Sequence, residues 1–244
     1  MKKWRHKAPD IDTLEAEAKR HNHFAIGQGF YKMFWVFFIG SFAGIVIETI
    51  WNLITRWEFR ICGIGLLYGP FNLVYGCGAL VLALSLNWLK GKRDIYILMG
   101  GFVIGSAVEY ASSWLQEVCF GVTSWDYSNV PFNLQGRINL LFSLLWGMLA
   151  IVWVKDIYPR LVSLILKIPS KIGRPLTWVL AVFMLFNIVM SGLAVGRWEQ
   201  RVKGFPPSTA IGEYLDEHYP DQRMHDIFPG MNFLPPKKGE EPPG

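Results

Sequence analysis

The chain has 244 residues, of which 52% are hydrophobic and 15% aromatic, and it carries a net charge of +5. This composition is typical of a small polytopic membrane protein, and its lysines and arginines flank the apolar runs, so the charge reflects membrane topology and not nucleic-acid binding. The sequence contains no GxxxxGK[ST] loop, no HExxH and no CxxC, which excludes ATP hydrolysis by this chain alone and the corresponding metal sites.

Residues 1–30 are predicted to be a cytoplasmic lead-in. They are charged throughout and have no apolar core, so they do not form a signal peptide. Within them, Asp10 or Asp12 can cap a short helix over residues 10–20. Insertion into the membrane must then rely on the first span itself.

Five apolar runs are long enough to cross a hydrocarbon core of about 30 Å, for which a helix needs roughly 20 residues. They lie at residues 33–55, 70–89, 95–120, 132–154 and 176–195. The predicted fold class is therefore all-α, a polytopic membrane helix bundle of about five transmembrane helices, with the membrane domain at residues 31–196.

The first two spans recur 61 residues later without a gap, so that residues 33–89 and 94–150 form two copies of one helical hairpin. The string PFNL at residues 70–73 recurs at residues 131–134. Both copies cross the membrane in the same direction, which predicts a parallel repeat, a class known in transporters. Proline is favoured in the first turn of a helix, so Pro70 and Pro131 are expected at the outer ends of spans two and four.

Each copy places a glutamate on a face of small residues, which lets membrane helices approach closely. The sets are Gly40, Gly44 and Glu48 in the first copy and Gly101, Gly105 and Glu109 in the second. The glutamates are therefore expected to point into helix contacts. A charged carboxylate at membrane depth costs on the order of 3 kcal/mol and indicates a functional site by default.

Arg137 is the expected counter-charge of this polar centre, because it would lie about 9 Å down span four, at a depth comparable with that of Glu48. Full ionisation of Glu48, Glu109 and Arg137 leaves a net charge of −1. Either one acid is then protonated, or a cation or cationic substrate binds. The other predicted members are Glu117, and Asn72 and Asn133 two residues inside their helices.

The segments after the repeat are polar or amphipathic. Residues 158–173 have apolar side chains at helical spacing and basic ones on other faces, which is typical of an interfacial helix at the cytoplasmic surface. Residues 197–244 form a polar, proline-containing tail whose last ten residues are predicted to be disordered. Lys and Arg are concentrated before the first span and in the loops at 90–94 and 155–175, which predicts a cytoplasmic N-terminus and an external C-terminus.

Cysteine and histidine contribute little to the functional prediction. Cys62 and Cys119 fall near the outer face, where an oxidising exterior would permit a disulfide. All five histidines lie outside the spans, so neither a metal nor a cofactor is predicted.

Four parts of the sequence carry a family resemblance. They are Gly40 to Glu48, LYGPF at 67–71 with Tyr75-Gly76, WDYS at 125–128 with PFNLxGR at 131–137, and the tail from Leu215 to Met231. These strings resemble the bacterial family of putative ABC-transporter permeases, type IV (CmpB-like), over about residues 33–233. The resemblance implies a multi-pass plasma-membrane permease whose ATPase would be a separate subunit. The chain lacks the EAA-type coupling loop of the familiar importer permeases.

Three functions remain open from the sequence. In the first, the duplicated hairpins form a transport pathway in the lipid bilayer, as a single chain or an oligomer, with Glu48, Glu109 and Arg137 at its centre. In the second, a membrane-embedded enzyme acts on a lipid-linked substrate, with a protonated glutamate as general acid and Arg137 on a phosphate. In the third, the acids form an ion-paired network that only orders the bundle.

Overall fold

A computed structural model describes residues 8–56, 65–229 and 231–234. The α-helices are α1 Ile11–Arg20, α2 Phe30–Arg56, α3 Leu73–Ser85, α4 Asp94–Phe120, α5 Leu140–Val152, α6 Tyr158–Ile165, α7 Ser170–Val202, α8 Ala210–His218 and α9 Asp221–Ile227. A 3₁₀ turn at Asn87–Leu89 follows α3, and a π-helical turn at Trp153–Ile157 joins α5 to α6. The strands have two residues each and are β1 Val122–Thr123, β2 Asn133–Leu134, β3 Ile138–Asn139 and β4 Asn232–Phe233. The predicted all-α polytopic bundle is confirmed.

Within the described residues, four helical stretches are long and apolar enough to cross a membrane. They are Phe30–Ile50, Asp94–Phe120, Leu140–Ile165 and Ser170–Val202. The remaining apolar helix, α3, has 13 residues, so it is about 20 Å long and shorter than a hydrocarbon core. The expected second span at residues 70–89 is therefore replaced by a short helix, a 3₁₀ turn and an irregular approach.

The segment at residues 158–173, predicted as one interfacial helix, belongs to two different helices. Its first part, α6, continues the α5 helix through the π-helical turn, and its last residues belong to α7, which begins at Ser170. The apolar side chains at helical spacing, such as Leu161 and Ile165, are buried in a protein core that also includes Ile11 of α1. Helical spacing of apolar residues cannot tell a lipid surface from a protein partner, and here α1 is the partner.

The described residues divide into two compact units, and the first comprises those of Met1–Gly40, Gly76–Val108 and Leu141–Val182. Its core is apolar, with a few buried polar groups that have partners. The indole N–H of Trp35 donates to the hydroxyl of Thr177 over 2.9 Å. Lys32, with only 1% of its side chain exposed, forms an ion pair with Glu15 of α1. The ion pair attaches α1 to α2, and the Trp35–Thr177 bond joins α2 to α7.

Close packing of α4 on α5 in this unit depends on glycine. A methyl group added to Gly101 would overlap the side chain of Ala150, and one added to Gly105 would overlap the ring of Trp146. One turn from these contacts, the hydroxyl of Ser106 donates to that of Ser143 over 2.7 Å. The missing side chains therefore set the distance between the two helices.

The second unit comprises the described residues of Ser41–Tyr75, Glu109–Leu140 and Phe183–Gly244. Its tail is a folded subdomain, with α8 and α9 packed around the fully buried Trp198 of α7. Val122 pairs with Phe233 in the antiparallel β1–β4 ladder. Arg197 donates to both carboxylate oxygens of Asp216, over 2.9 and 2.8 Å. The last ten residues, predicted as disordered, lie outside the described residues.

We expect Gly101→Ala to lower stability by about 1–3 kcal/mol, because the added methyl overpacks the α4–α5 contact. The measurement is unfolding of the purified protein by titration with a denaturing detergent. Gly196→Ala is the matched control, since nothing lies within 4 Å of the added methyl. Partial recovery is expected when Gly101→Ala is combined with Ala150→Gly. Equal stability of the two single variants would contradict the packing argument.

The tail subdomain should lose stability in acid. The Arg197 guanidinium lowers the pKa of Asp216, and Arg201 adds to this effect. A carboxyl whose folded pKa is depressed contributes stability above its unfolded pKa of about 3.9, and that contribution disappears as the pH falls through the folded value. Asp216→Asn should therefore cost about 1–3 kcal/mol near neutral pH, and this cost should shrink below about pH 4.

The loss is measured by thermal unfolding of both proteins across the pH range. The matched control is Asp94→Asn, which removes a carboxylate that is 57% exposed and pairs with Lys155. An exposed pair of this kind contributes little. If Asp216→Asn lowers the free energy of unfolding by the same amount at pH 3 as at neutral pH, the ion pair is not the cause of the loss.

Candidate functional site

Two carboxylates of the second unit are each hydrogen-bonded to a tyrosine. The Tyr75 hydroxyl of α3 donates to Glu48 of α2. The Tyr127 hydroxyl donates to Oε1 of Glu109 over 3.0 Å. Glu109 lies in α4 and is only 6% exposed. Tyr75 also interacts electrostatically with Glu109 of α4, but its hydrogen bond is to Glu48.

The glycine face of α2 places Tyr75. A methyl group at Gly44 would overlap the Tyr75 ring, so the tyrosine can lie against the helix only because the side chain is missing there. Glu48 follows Gly44 by one turn on the same face, where the hydroxyl reaches it. Gly40, one turn earlier, lies in α2 as well, but in the first unit.

The loop after α4 carries Tyr127 and is held by local hydrogen bonds. Asp126 accepts from both the backbone N–H and the hydroxyl of Ser128, over 2.8 and 2.6 Å, and these bonds lower its pKa. The backbone N–H of Tyr127 donates to the carbonyl of Gly136 over 2.8 Å. Burial, together with the Glu109 charge, raises the pKa of Tyr127, so its hydroxyl keeps its proton and remains a donor.

The position predicted for Arg137 inside span four is wrong. Pro131 does not begin the helix; the chain forms the β2–β3 hairpin first, and α5 begins at Leu140. Phe132, Gln135 and Gly136 have positive φ, which is incompatible with an α-helix. Arg137 therefore lies in the loop of the hairpin. Pro131 precedes this hairpin and does not occupy the first turn of a helix, the position that its residue preference had indicated.

The Arg137 side chain returns from the hairpin to α4. It forms an ion pair with Glu117 and donates to the hydroxyl of Ser113 over 3.2 Å. Its guanidinium also lies 5.6 Å from the centre of the Tyr110 ring. Arg137 thus contacts three side chains on one face of α4, those of Tyr110, Ser113 and Glu117. Of these, Glu117 supplies the carboxylate of the ion pair.

The two asparagines of the repeated PFNL strings lie outside helices, whereas both were expected two residues inside. Asn72 precedes α3 and caps it, since its side-chain oxygen accepts from the N–H of Val74 over 2.9 Å. Asn133 is in β2, where its amide donates to the carbonyl of Val130 and accepts from the N–H of Gly136. The same string therefore caps a helix in one copy and a turn in the other.

Some predicted residues fall outside what the structure describes. Cys62 lies in the gap between residues 56 and 65, so the disulfide with Cys119 that the sequence permits falls outside the described residues. Among the described residues, no group of three or more His, Cys, Asp or Glu side chains could hold a metal ion. The tyrosines were missed as site residues, although Tyr75 and Tyr127 both lie in strings that the sequence analysis singled out.

Comparison with protein families identifies the family of the chain. Residues 35–192, more than half of the chain, match the model of the family described as Putative ABC-transporter type IV. No solved structure matches the chain. The matched region contains both glutamates, both tyrosines and Arg137, and it ends before the folded tail.

The Arg137–Glu117 pair should stabilise the hairpin measurably. The two side chains are 14% and 38% exposed, so we expect a coupling energy of about 1 kcal/mol in a double-mutant cycle of Arg137→Gln and Glu117→Gln. The same cycle on Lys155 and Asp94, which are about half exposed, should give less than about 0.5 kcal/mol. Detergent-induced unfolding measures both. Coupling no larger than that of the control pair would contradict an anchoring role.

Proposed function

Because the chain belongs to the Putative ABC-transporter type IV family, we propose that it is a permease-like membrane subunit in which Glu48 and Glu109 bind a cationic substrate or ion. One observation carries this proposal: Tyr75 donates to Glu48 and interacts electrostatically with Glu109. This interaction supports a common site for two acids from two candidate spans. Polar groups of this kind at membrane depth are typical of substrate and ion pathways.

The type of hydrogen-bond donor supports a cation as the ligand. A tyrosine hydroxyl is neutral, so it stabilises a carboxylate without cancelling its charge. A guanidinium would cancel that charge, and the guanidinium of Arg137 forms its ion pair with Glu117. Because the described residues hold no cluster of three metal-binding side chains, we favour a monovalent or organic cation over a divalent metal ion.

The enzyme alternative is less well supported. It requires Arg137 to hold the phosphate of a lipid-linked substrate. Its guanidinium already contacts Glu117, Ser113 and the Tyr110 ring. A phosphate would have to displace at least one of these contacts. The purely structural alternative predicts that neither glutamate responds to ligands, and the experiment below separates it from transport.

The remaining parts of the proposal concern topology and partners. We place the protein in the cell membrane with a cytoplasmic N-terminus and an external C-terminus, in keeping with the Lys and Arg bias. The two hairpins at residues 33–89 and 94–150 are proposed to be a parallel internal repeat. Since the sequence has no nucleotide-binding loop, any ATPase would be a separate subunit, and co-purification of the tagged chain from its native membrane would identify it.

The cation site is tested by thermal unfolding of the purified protein in lipid nanodiscs. The probes are NaCl, KCl, choline chloride and putrescine dihydrochloride at constant ionic strength. A ligand that binds only the folded state raises the melting temperature, and the rise grows with the logarithm of one plus the ratio of the free ligand concentration to Kd. We expect at least one probe to do so for the wild type, and Glu109→Gln to fold normally but lose this shift.

Glu117→Gln is the matched control, because it removes a carboxylate of the same helix that pairs with Arg137. It should keep the cation-dependent shift. A shift with none of the probes, or one that Glu109→Gln retains, would contradict the proposed site. If Glu109→Gln lowers the melting temperature equally with and without the probes, the result favours the purely structural alternative.

A further inference from the structure

A stretch of irregular backbone, Gly65–Asn72, lies against the central residues of two membrane helices. The N–H of Asn72 donates to the carbonyl of Ser41, the twelfth of the 27 residues of α2. Asn187 contacts the same stretch and is the eighteenth of the 33 residues of α7. We refer to Gly65–Asn72 as the broken segment, because its backbone is not helical although it lies against the middle of two membrane helices and leads into α3.

Asn187 is the main polar partner of the broken segment. Its side-chain oxygen accepts from the N–H of Tyr68 over 3.1 Å, and its amide nitrogen donates to the carbonyl of the same residue over 2.6 Å. Asn187 is fully buried. One turn further along α7, the hydroxyl of Ser191 accepts from the N–H of Leu67 over 2.8 Å. Two side chains of α7 thus replace the backbone bonds that a helix would have made.

Physical chemistry limits where such a segment can exist. Non-helical backbone at membrane depth is tolerated only where it is buried in protein or lines a water-filled cavity, because lipid cannot satisfy its N–H and carbonyl groups. Transporters use interrupted helices of this kind to form their substrate sites. The broken segment ends at the cap of α3, and three residues after Asn72 is Tyr75, whose hydroxyl donates to Glu48.

We propose that the broken segment forms one wall of the Glu48–Glu109 site and that Asn187 is the positioning residue that holds it closed. This inference rests on the proposed function. When the two bonds to Tyr68 are made, α3 begins where Tyr75 reaches Glu48. When they are broken, the segment keeps only the Ser191 bond to α7, its attachment weakens and the site opens. Asn187 touches no ligand in this scheme and acts through Tyr75.

The closed state is tested by thiol labelling. Leu66 lies in the broken segment and is buried, so Leu66→Cys in a background without the native cysteines should react slowly with a polar maleimide. Asn187→Ala should raise the labelling rate roughly tenfold, since it removes two hydrogen bonds that keep the segment closed. Ser191→Ala should raise it less, and it carries the test if Asn187→Ala does not fold.

Thr177→Val is the matched control. It also removes a buried hydrogen bond of α7, from Trp35, but in the first unit. It should lower stability and leave the labelling rate of Leu66→Cys unchanged. Equal labelling rates in Asn187→Ala and Thr177→Val would overturn the proposal, because the opening would then be general destabilisation.

A second measurement separates this inference from the proposed function. In the thermal assay with cation probes, Asn187→Ala should reduce the melting shift and Thr177→Val should keep it. No shift in the wild type would contradict the cation site, while the labelling result would still decide whether Asn187 closes the segment. An undiminished shift in Asn187→Ala, with faster labelling, would overturn its role as a positioning residue for the site.

Discussion

The structure of the second unit depends on one constraint, which is that polar groups removed from water must be satisfied within the protein. Glu109 is almost completely buried and has the hydroxyl of Tyr127 as a partner. The broken segment is satisfied by Asn187 in the same way. Each of these bonds fixes an irregular stretch of chain against a membrane helix. Groups that are costly to bury therefore determine where the loops lie.

Small residues make these bonds possible. Tyr75 can lie against α2 because Gly44 has no side chain, and the glutamate one turn later is then within reach of its hydroxyl. In the first unit, Gly101 and Gly105 bring α4 close to α5 without any acid in the contact. The same glycine spacing thus serves tight packing in one place and the positioning of a carboxylate in another.

The two kinds of donor near the acids have different consequences. The charge of Arg137 balances that of Glu117, which attaches the hairpin to α4 and suits a permanent contact. The tyrosine hydroxyls are neutral donors and place no opposite charge beside Glu48 and Glu109. A site that must bind and release a cation needs that second arrangement, because a guanidinium would compete with the ligand. The folded tail adds a third set of charges, in which arginines of α7 hold Asp216.

The sequence by itself determined the membrane-spanning, all-α character and the face on which the glycines and glutamates lie, because helical spacing and hydropathy are local properties. It did not determine the position of Arg137 or the irregular backbone that precedes α3. Both depend on bonds between residues distant in the sequence: Arg137 contacts Glu117, 20 residues earlier, and the broken segment is held by Asn187, 119 residues after Tyr68. Such pairings leave no periodic signal in the sequence, so only the tertiary structure decides them.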